Sequence, residues 1–258
     1  MDKPIKILKI TGKLQADFHK ESITRNIARY ISDTWKDNYW VLFLSGAAIR
    51  GADRLGYTYD QYLNVKNSLE EEDRIDFQQN CVALGQAPLF ESIRRIFSPY
   101  FGEKITEVGQ ILFDYEHIHG KETGNLIKRI NSLLEMNIMP ILNNNDPLYS
   151  FETPLDNDMP SAITAIYLKA EKLIMMMEEN GLYYDYPEKK NLMTEINEEI
   201  YKKHIASFGE TTGNGGPEIK TLAGLLAAKN GIEALATSYR QSLREIEEGI
   251  VPCTRFVP

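Results

Sequence analysis

The chain has 258 residues, enough for one large domain or two small ones with a real core. Hydrophobic residues make up 43% and charged residues 26%, an ordinary balance for a globular protein. A net charge of −8 argues against nucleic-acid binding, which calls for a basic stripe.

In chain order, "IKILKI" (5–10) reads as a strand, 22–36 as a helix and "WVLFLS" (40–45) as a second strand. Helical spacing over 74–98 leads to a strand at "GQILFD" (109–114). A helix over 122–136 and the strand "IMPIL" (138–142) follow. The last four are a helix over 160–171, the strand "KLIMMM" (172–177), a helix over 218–230 and the strand "IEALAT" (232–237). Several of these strands are too continuously apolar to face water. With helices between them, they imply crossover connections and a mostly parallel sheet covered on both faces. The stretches 56–73 and 179–216 read as charged, irregular surface excursions. No linker or repeat is visible, so the expectation is a single α/β domain.

Two cysteines, Cys81 and Cys253, lie far apart without a ligand set, which disfavours structural zinc or a disulfide framework and fits a reducing compartment. The start of the chain lacks a signal-peptide core, and no stretch reaches membrane-spanning length. The expected location is the cytoplasm, with no membrane partner.

Four loops after strands carry unusual chemistry. "ILKITGKL" puts Lys9 at a strand end with Gly12 beyond it, and Ser45-Gly46-Ala47 forms a small-residue turn. The densest polar segment holds Asn143, Asn144, Asn145 and Asp146, then Asp156, Asn157 and Asp158. In "GNGGPEIK", Gly213, Gly215 and Gly216 precede Lys220 at a helix start, the makings of an anion cradle. Each has a plainer explanation. Lys9 could guard a sheet edge, Ser45-Gly46 could be an ordinary turn, Asp158 could cap a helix, and the glycine loop before Lys220 could be a flexible connector. Taken together, two lysines, acidic clusters and glycine turns without a histidine or cysteine nucleophile suit phosphoryl transfer, which needs charge neutralisation and positioning.

The motifs resemble the amino-acid kinase family, and within it the glutamate 5-kinase branch, over nearly the whole chain. "SGAAIRGADRLG" (45–56), "CVALGQAPLFESIRRIFSPYFG" (81–102), "VGQIL" (108–112), "MPILNNND" (139–146), "DNDMPSA" (156–162), "ENGLYYDYP" (179–187) and "GNGGPEIK" (213–220) carry the resemblance. It implies a three-layer α/β/α sandwich on an open, mainly parallel sheet. It also implies transfer of the γ-phosphoryl of ATP to the side-chain carboxylate of glutamate, as in proline biosynthesis. Lys9 and Lys220 would flank the phosphoryl group, and Asp158 would orient both. Ser45, Gly46, Asp146 and Asn157 would bind the acceptor, while Gly12, Met177, Glu178, Gly213, Gly215, Gly216 and Lys220 would bind nucleotide. Mg2+ would arrive mainly on the ATP phosphates, with no protein metal site. The acceptor part would cover about 1–165 and the nucleotide part about 166–258, in a homodimer or homotetramer.

The chain departs from the family pattern in several places. Its first glycine, Gly12, comes one place late, and Asn144 replaces a carboxylate. Met177-Glu178 replaces a threonine-aspartate pair, and Asn125 lacks the alanine-arginine that usually follows. The chain stops at Pro258, where many members of the branch continue into an RNA-binding-like domain. These departures leave two alternatives open: a different small acidic acceptor, or a non-catalytic sensor of an amino acid or nucleotide.

Overall fold

A computed structural model describes residues 2–16, 21–102, 104–148, 157–185, 188–205 and 216–258. Its strands are β1 (Ile5–Ile10), β2 (Tyr39–Leu44), β3 (Glu107–Phe113), β4 (Ile138–Asn144), β5 (Lys172–Met177), β6 (Glu195–Ile196), β7 (Glu233–Ser238) and β8 (Thr254–Phe256). They form one eight-stranded sheet in the order β3-β4-β2-β1-β5-β7-β8-β6. Every pairing is parallel except β7 with β8. The long strands match the six read from the sequence because a strand buried on both faces shows as an unbroken apolar run. All six residues of β1 are buried.

The helices are α1 (Gly12–Ala16), α2 (Glu21–Thr34), α3 (Ala47–Arg54), α4 (Tyr59–Ser68), α5 (Glu71–Phe97), α6 (Tyr115–His119), α7 (Thr123–Glu135), α8 (Asp158–Leu168), α9 (Glu198–Ile200), α10 (Pro217–Lys229) and α11 (Leu243–Glu247). Contacts link α6, α7, α8 and α10 into one layer, and α2, α3, α5 and α11 into the other. The stretch 56–73, read as irregular, holds the ten residues of α4, nearly three turns. A capping box between Thr58 and Gln61 starts that helix. Its apolar signal is weak because Tyr62 is its one buried residue.

The chain starts at the centre of the sheet and builds outward in both directions. From β1 it runs through β2 towards β4 and β3, then crosses to β5 and β7 on the other side. β1 is therefore the point where strand order reverses. In sheets of this kind the ligand crevice opens at the carboxyl ends of the strands beside that point. Lys9, Ser45, Asn143, Asn144 and Glu178 all lie at or just past those ends.

The turn after β2 is held down by an unusually close helix crossing. A Cβ placed on Gly51 of α3 would sit 1.6 Å from the carbonyl oxygen of Cys81 in α5, and one on Gly85 would sit 1.8 Å from that of Ala47. Backbone meets backbone there, so no side chain fits. We expect Gly85→Ala to cost at least about 3 kcal/mol in urea unfolding, from overpacking that neither helix can relieve. Gly124→Ala in α7, where an added methyl meets open space, serves as the control and should be neutral or stabilising.

Candidate active site

Alternation along β1 sends Lys9 to the face covered by α8 and α10, and Lys6 to the face covered by α11. Asp158 opens α8, with its carboxylate wholly inaccessible to solvent. Lys220 lies in the first turn of α10, three residues after Pro217, which follows the N-cap Gly216. The three meet: Lys9 Nζ is 2.8 Å from Asp158 Oδ1, and Lys220 Nζ donates to Asp158 Oδ2 at 2.6 Å. Both lysines are 5% exposed. The cluster has one more ammonium than carboxylate, and its α8 end adds the positive pole of a helix. It is a buried, preorganised receptor for negative charge.

A polar network lies beside it at the ends of β2 and β4. Asn157 Nδ2 donates to Leu44 O (2.7 Å), Asn143 Oδ1 (2.9 Å) and Ser45 Oγ (3.2 Å). Asn143 in turn donates to Gln86 Oε1, and Gln86 Nε2 donates to Asn144 O at 2.7 Å. Gly46 has φ 111°, a conformation that favours glycine, and a Cβ on Gly12 would stand 3.1 Å from Gly46. The loops after β1 and β2 thus touch through their glycines.

Asp146 follows β4 in a short 3-10 turn, and burial pushes its carboxyl up to about 7. Its Oδ1 and Asn157 Oδ1 are both sealed from solvent and lack a hydrogen-bond partner among the described residues. Two buried acceptors without donors suit a ligand that brings N–H groups.

On the far side of β1, Met177 ends β5 and packs partly against the core. Glu178 pairs with Lys13 of α1 and with Arg240, which lies 3.0 Å away. Both pairings hold the Glu178 carboxyl below its usual range, the Lys13 hydrogen bond most strongly. Gly213 and Gly215, like Asp156, lie outside the described residues, whereas Gly216 is the N-cap of α10. Among the described residues, no group of three or more His, Cys, Asp or Glu side chains could hold a metal ion. No described helix is long and apolar enough to cross a membrane.

Sequence reasoning did not single out Lys13, Gln86 or Arg240 for the site. Gln86 lies in α5 within "CVALGQAPLF", where nothing local distinguishes it from its neighbours as a site residue. Lys13 and Arg240 are 227 positions apart in sequence, and only the fold brings both to Glu178. A second lysine–carboxylate cluster occupies the opposite end of the sheet, where Lys6 and the register-paired Lys172 both reach Glu247 of α11. It lies at the amino ends of the strands, opposite the carboxyl ends beside which sheets of this kind bind their ligands.

Residues 4–237 match the profile of the amino acid kinase family. A glutamate 5-kinase from Clostridium acetobutylicum is 31% identical over 243 residues, covering 90% of this chain and 85% of that protein. A glutamate 5-kinase from Vibrio vulnificus is 29% identical over 90% of this chain, which spans 60% of that relative's length. Among solved structures, carbamate kinase from Giardia lamblia bound to AMP-PNP superposes with a TM-score of 0.68 at 13% identity, over 99% of both chains. UMP kinase from Ureaplasma parvum gives 0.65 at 14% identity over the full length of both. The chain belongs to the amino-acid kinase family and has its fold.

Because burial disfavours its ionised form in the fold, Asp146 carries a pH-dependent penalty. Folded and unfolded states are both protonated below about pH 4, so the group is then neutral to stability. As pH rises towards 7 the unfolded chain ionises first and stability falls, by a few kcal/mol in all at roughly 1.4 kcal/mol per unit. Asp146→Asn should therefore raise the melting temperature at pH 8 and leave it unchanged at pH 4. Equal shifts at both values would mean that the carboxyl is not burdened by burial.

Proposed function

We propose that the protein transfers the γ-phosphoryl group of ATP to the side-chain carboxylate of an amino acid, glutamate being the acceptor suggested by the names of its relatives. The observation that carries this reading is the buried pair Lys9 and Lys220 on one carboxylate, at the carboxyl ends of the central strands. In the transfer, a carboxylate oxygen forms a bond to γ-phosphorus while the bond from phosphorus to the bridging oxygen breaks, and ADP leaves. Neither partner needs deprotonating first, because the nucleophile is already an anion. The task is to bring two anions together and neutralise the charge that spreads over the transferring group.

Lys9, from the strand shared by both halves of the sheet, serves the acceptor side, and Lys220 serves the nucleotide side. Asp158 accepts from both and fixes their separation, acting as a positioning group rather than a base. Gly216 and the glycines before it wrap the phosphates. Mg2+ bound to those phosphates would supply further charge neutralisation, and the lysine-rich centre fits a metal carried by ATP. Asp146 and Asn157 receive the α-ammonium, whose N–H groups suit their two donor-less oxygens. Ser45 and Gly46 complete the acceptor pocket. The acceptor half covers about 1–165 and the nucleotide half about 166–258, in a cytoplasmic homo-oligomer. A different small acidic acceptor is the second reading, favoured by the neutral, buried amide of Asn144 where the family pattern has a carboxylate.

Two experiments test the assignment. ATP turnover across a panel of small carboxylates should be highest with glutamate, and Lys220→Ala should lower it by about 10²–10³ with the fold retained. Near-native turnover in that variant removes Lys220 from the chemistry. Acceptor affinity should rise from pH 6 to pH 8 as Asp146 ionises. Asp146→Asn should weaken acceptor binding and flatten that slope, with the ATP requirement unchanged. A slope that survives the substitution would place the ammonium elsewhere.

A further inference from the structure

Two of the chain's departures from its family pattern meet in space. Lys13 follows the late glycine of the first loop, and Glu178 follows β5; they form an ion pair. β1 and β5 are neighbours, with Lys9 opposite Met175. β1 ends at Ile10 and β5 at Met177, so Lys13, in α1, and Glu178 pair just beyond the carboxyl ends of these two neighbouring strands, at the end of the sheet towards which Lys9 leads.

The two members are not equally fixed. The Glu178 carbonyl accepts from Ser238 Oγ at 2.7 Å and from Arg240 Nη1 at 2.7 Å, and its Oε1 accepts from Arg240 Nη2 at 3.0 Å. It is tied to the end of β7 at three points. Lys13 stands on a five-residue helix with its side chain 46% exposed, and among the described residues Glu178 is its one ion-pair partner. An ion pair this open contributes little and exchanges readily. A polyphosphate passing through the crevice towards Lys9 and Lys220 offers several charges to a cation that now has one.

We propose that Lys13 is a third phosphate-binding cation of the crevice, held in waiting by Glu178, and that Glu178 anchors this lysine instead of contacting the nucleotide itself. The inference rests on the kinase reading. It accounts for both departures together: the lysine supplies a charge beyond the family's two, and the extra methylene of glutamate over aspartate lets its carboxylate reach that lysine while Arg240 holds it.

Calorimetric titration with a non-hydrolysable ATP analogue and with inorganic tripolyphosphate tests it, on the native protein and on Lys13→Gln, Lys13→Arg and Glu178→Gln. Lys13→Gln should weaken both probes about tenfold, as expected for loss of one charge-assisted contact. Lys13→Arg should restore most of the affinity. Glu178→Gln, whose amide oxygen still accepts from Arg240, should bind both probes as well as the native protein or a few-fold tighter. Native affinity in Lys13→Gln overturns the inference alone. So does a loss in Glu178→Gln equal to or greater than that in Lys13→Gln, since the pair is then structural or Glu178 is itself a ligand. If the native protein binds neither probe, the kinase reading falls and takes this inference with it.

Discussion

The Asp158 carboxylate is the joint on which the rest depends. It binds Lys9 from the first strand and Lys220 from a helix that begins more than 200 residues later, and it sits where no water reaches. Burying three charges costs several kcal/mol per ion before any attraction is counted. A hydrophobic trio of the same volume would be a safer core. The cluster is tolerable because one carboxylate satisfies two ammoniums and the N-terminus of α8 supports the carboxylate. What remains is excess positive charge in a dry site, which is what a transferring phosphoryl group requires.

The second lysine–carboxylate cluster makes the contrast plain. Lys6 and Lys172 also share one buried acid, Glu247, and Lys172 further pairs with Glu233. There the acids balance or outnumber the lysines, and the cluster fastens α11 beneath the amino ends of the strands. Similar side chains therefore do different work at the two ends of the same sheet. The difference lies in net charge and in which end faces the crevice, two properties that no local motif contains.

Around the joint, the loops are held by groups that leave little room to move. Asn157, next to Asp158, reaches across to the ends of β2 and β4 and ties these strands to the helix that carries the central carboxylate. The glycine crossing of α3 and α5 brings Gln86 close enough to bond both Asn143 and the Asn144 backbone. The crossing thus sets where Gln86 stands, and through it the end of β4.

The sequence by itself determined the layered fold. Unbroken apolar runs such as Leu173–Met176 are legible because a central strand is buried on both faces, and the helices between them carry their own period. The motifs also marked Lys9, Asp158 and Lys220, yet each had a plain alternative. An edge lysine and a lysine at the sheet's centre read alike, and Asp158 does stand at a helix start. The resemblance suggested that Asp158 orients both lysines, but only the tertiary structure placed β1 in the middle of the sheet and showed the two ammoniums buried on one carboxylate. It likewise revealed the raised Asp146, the Lys13–Glu178–Arg240 chain, the helix α4 and the antiparallel closure by β8. The reason is physical. Secondary structure follows from patterns within a dozen residues, whereas a charge's role is set by its depth and its partners, and those partners come from opposite ends of the chain.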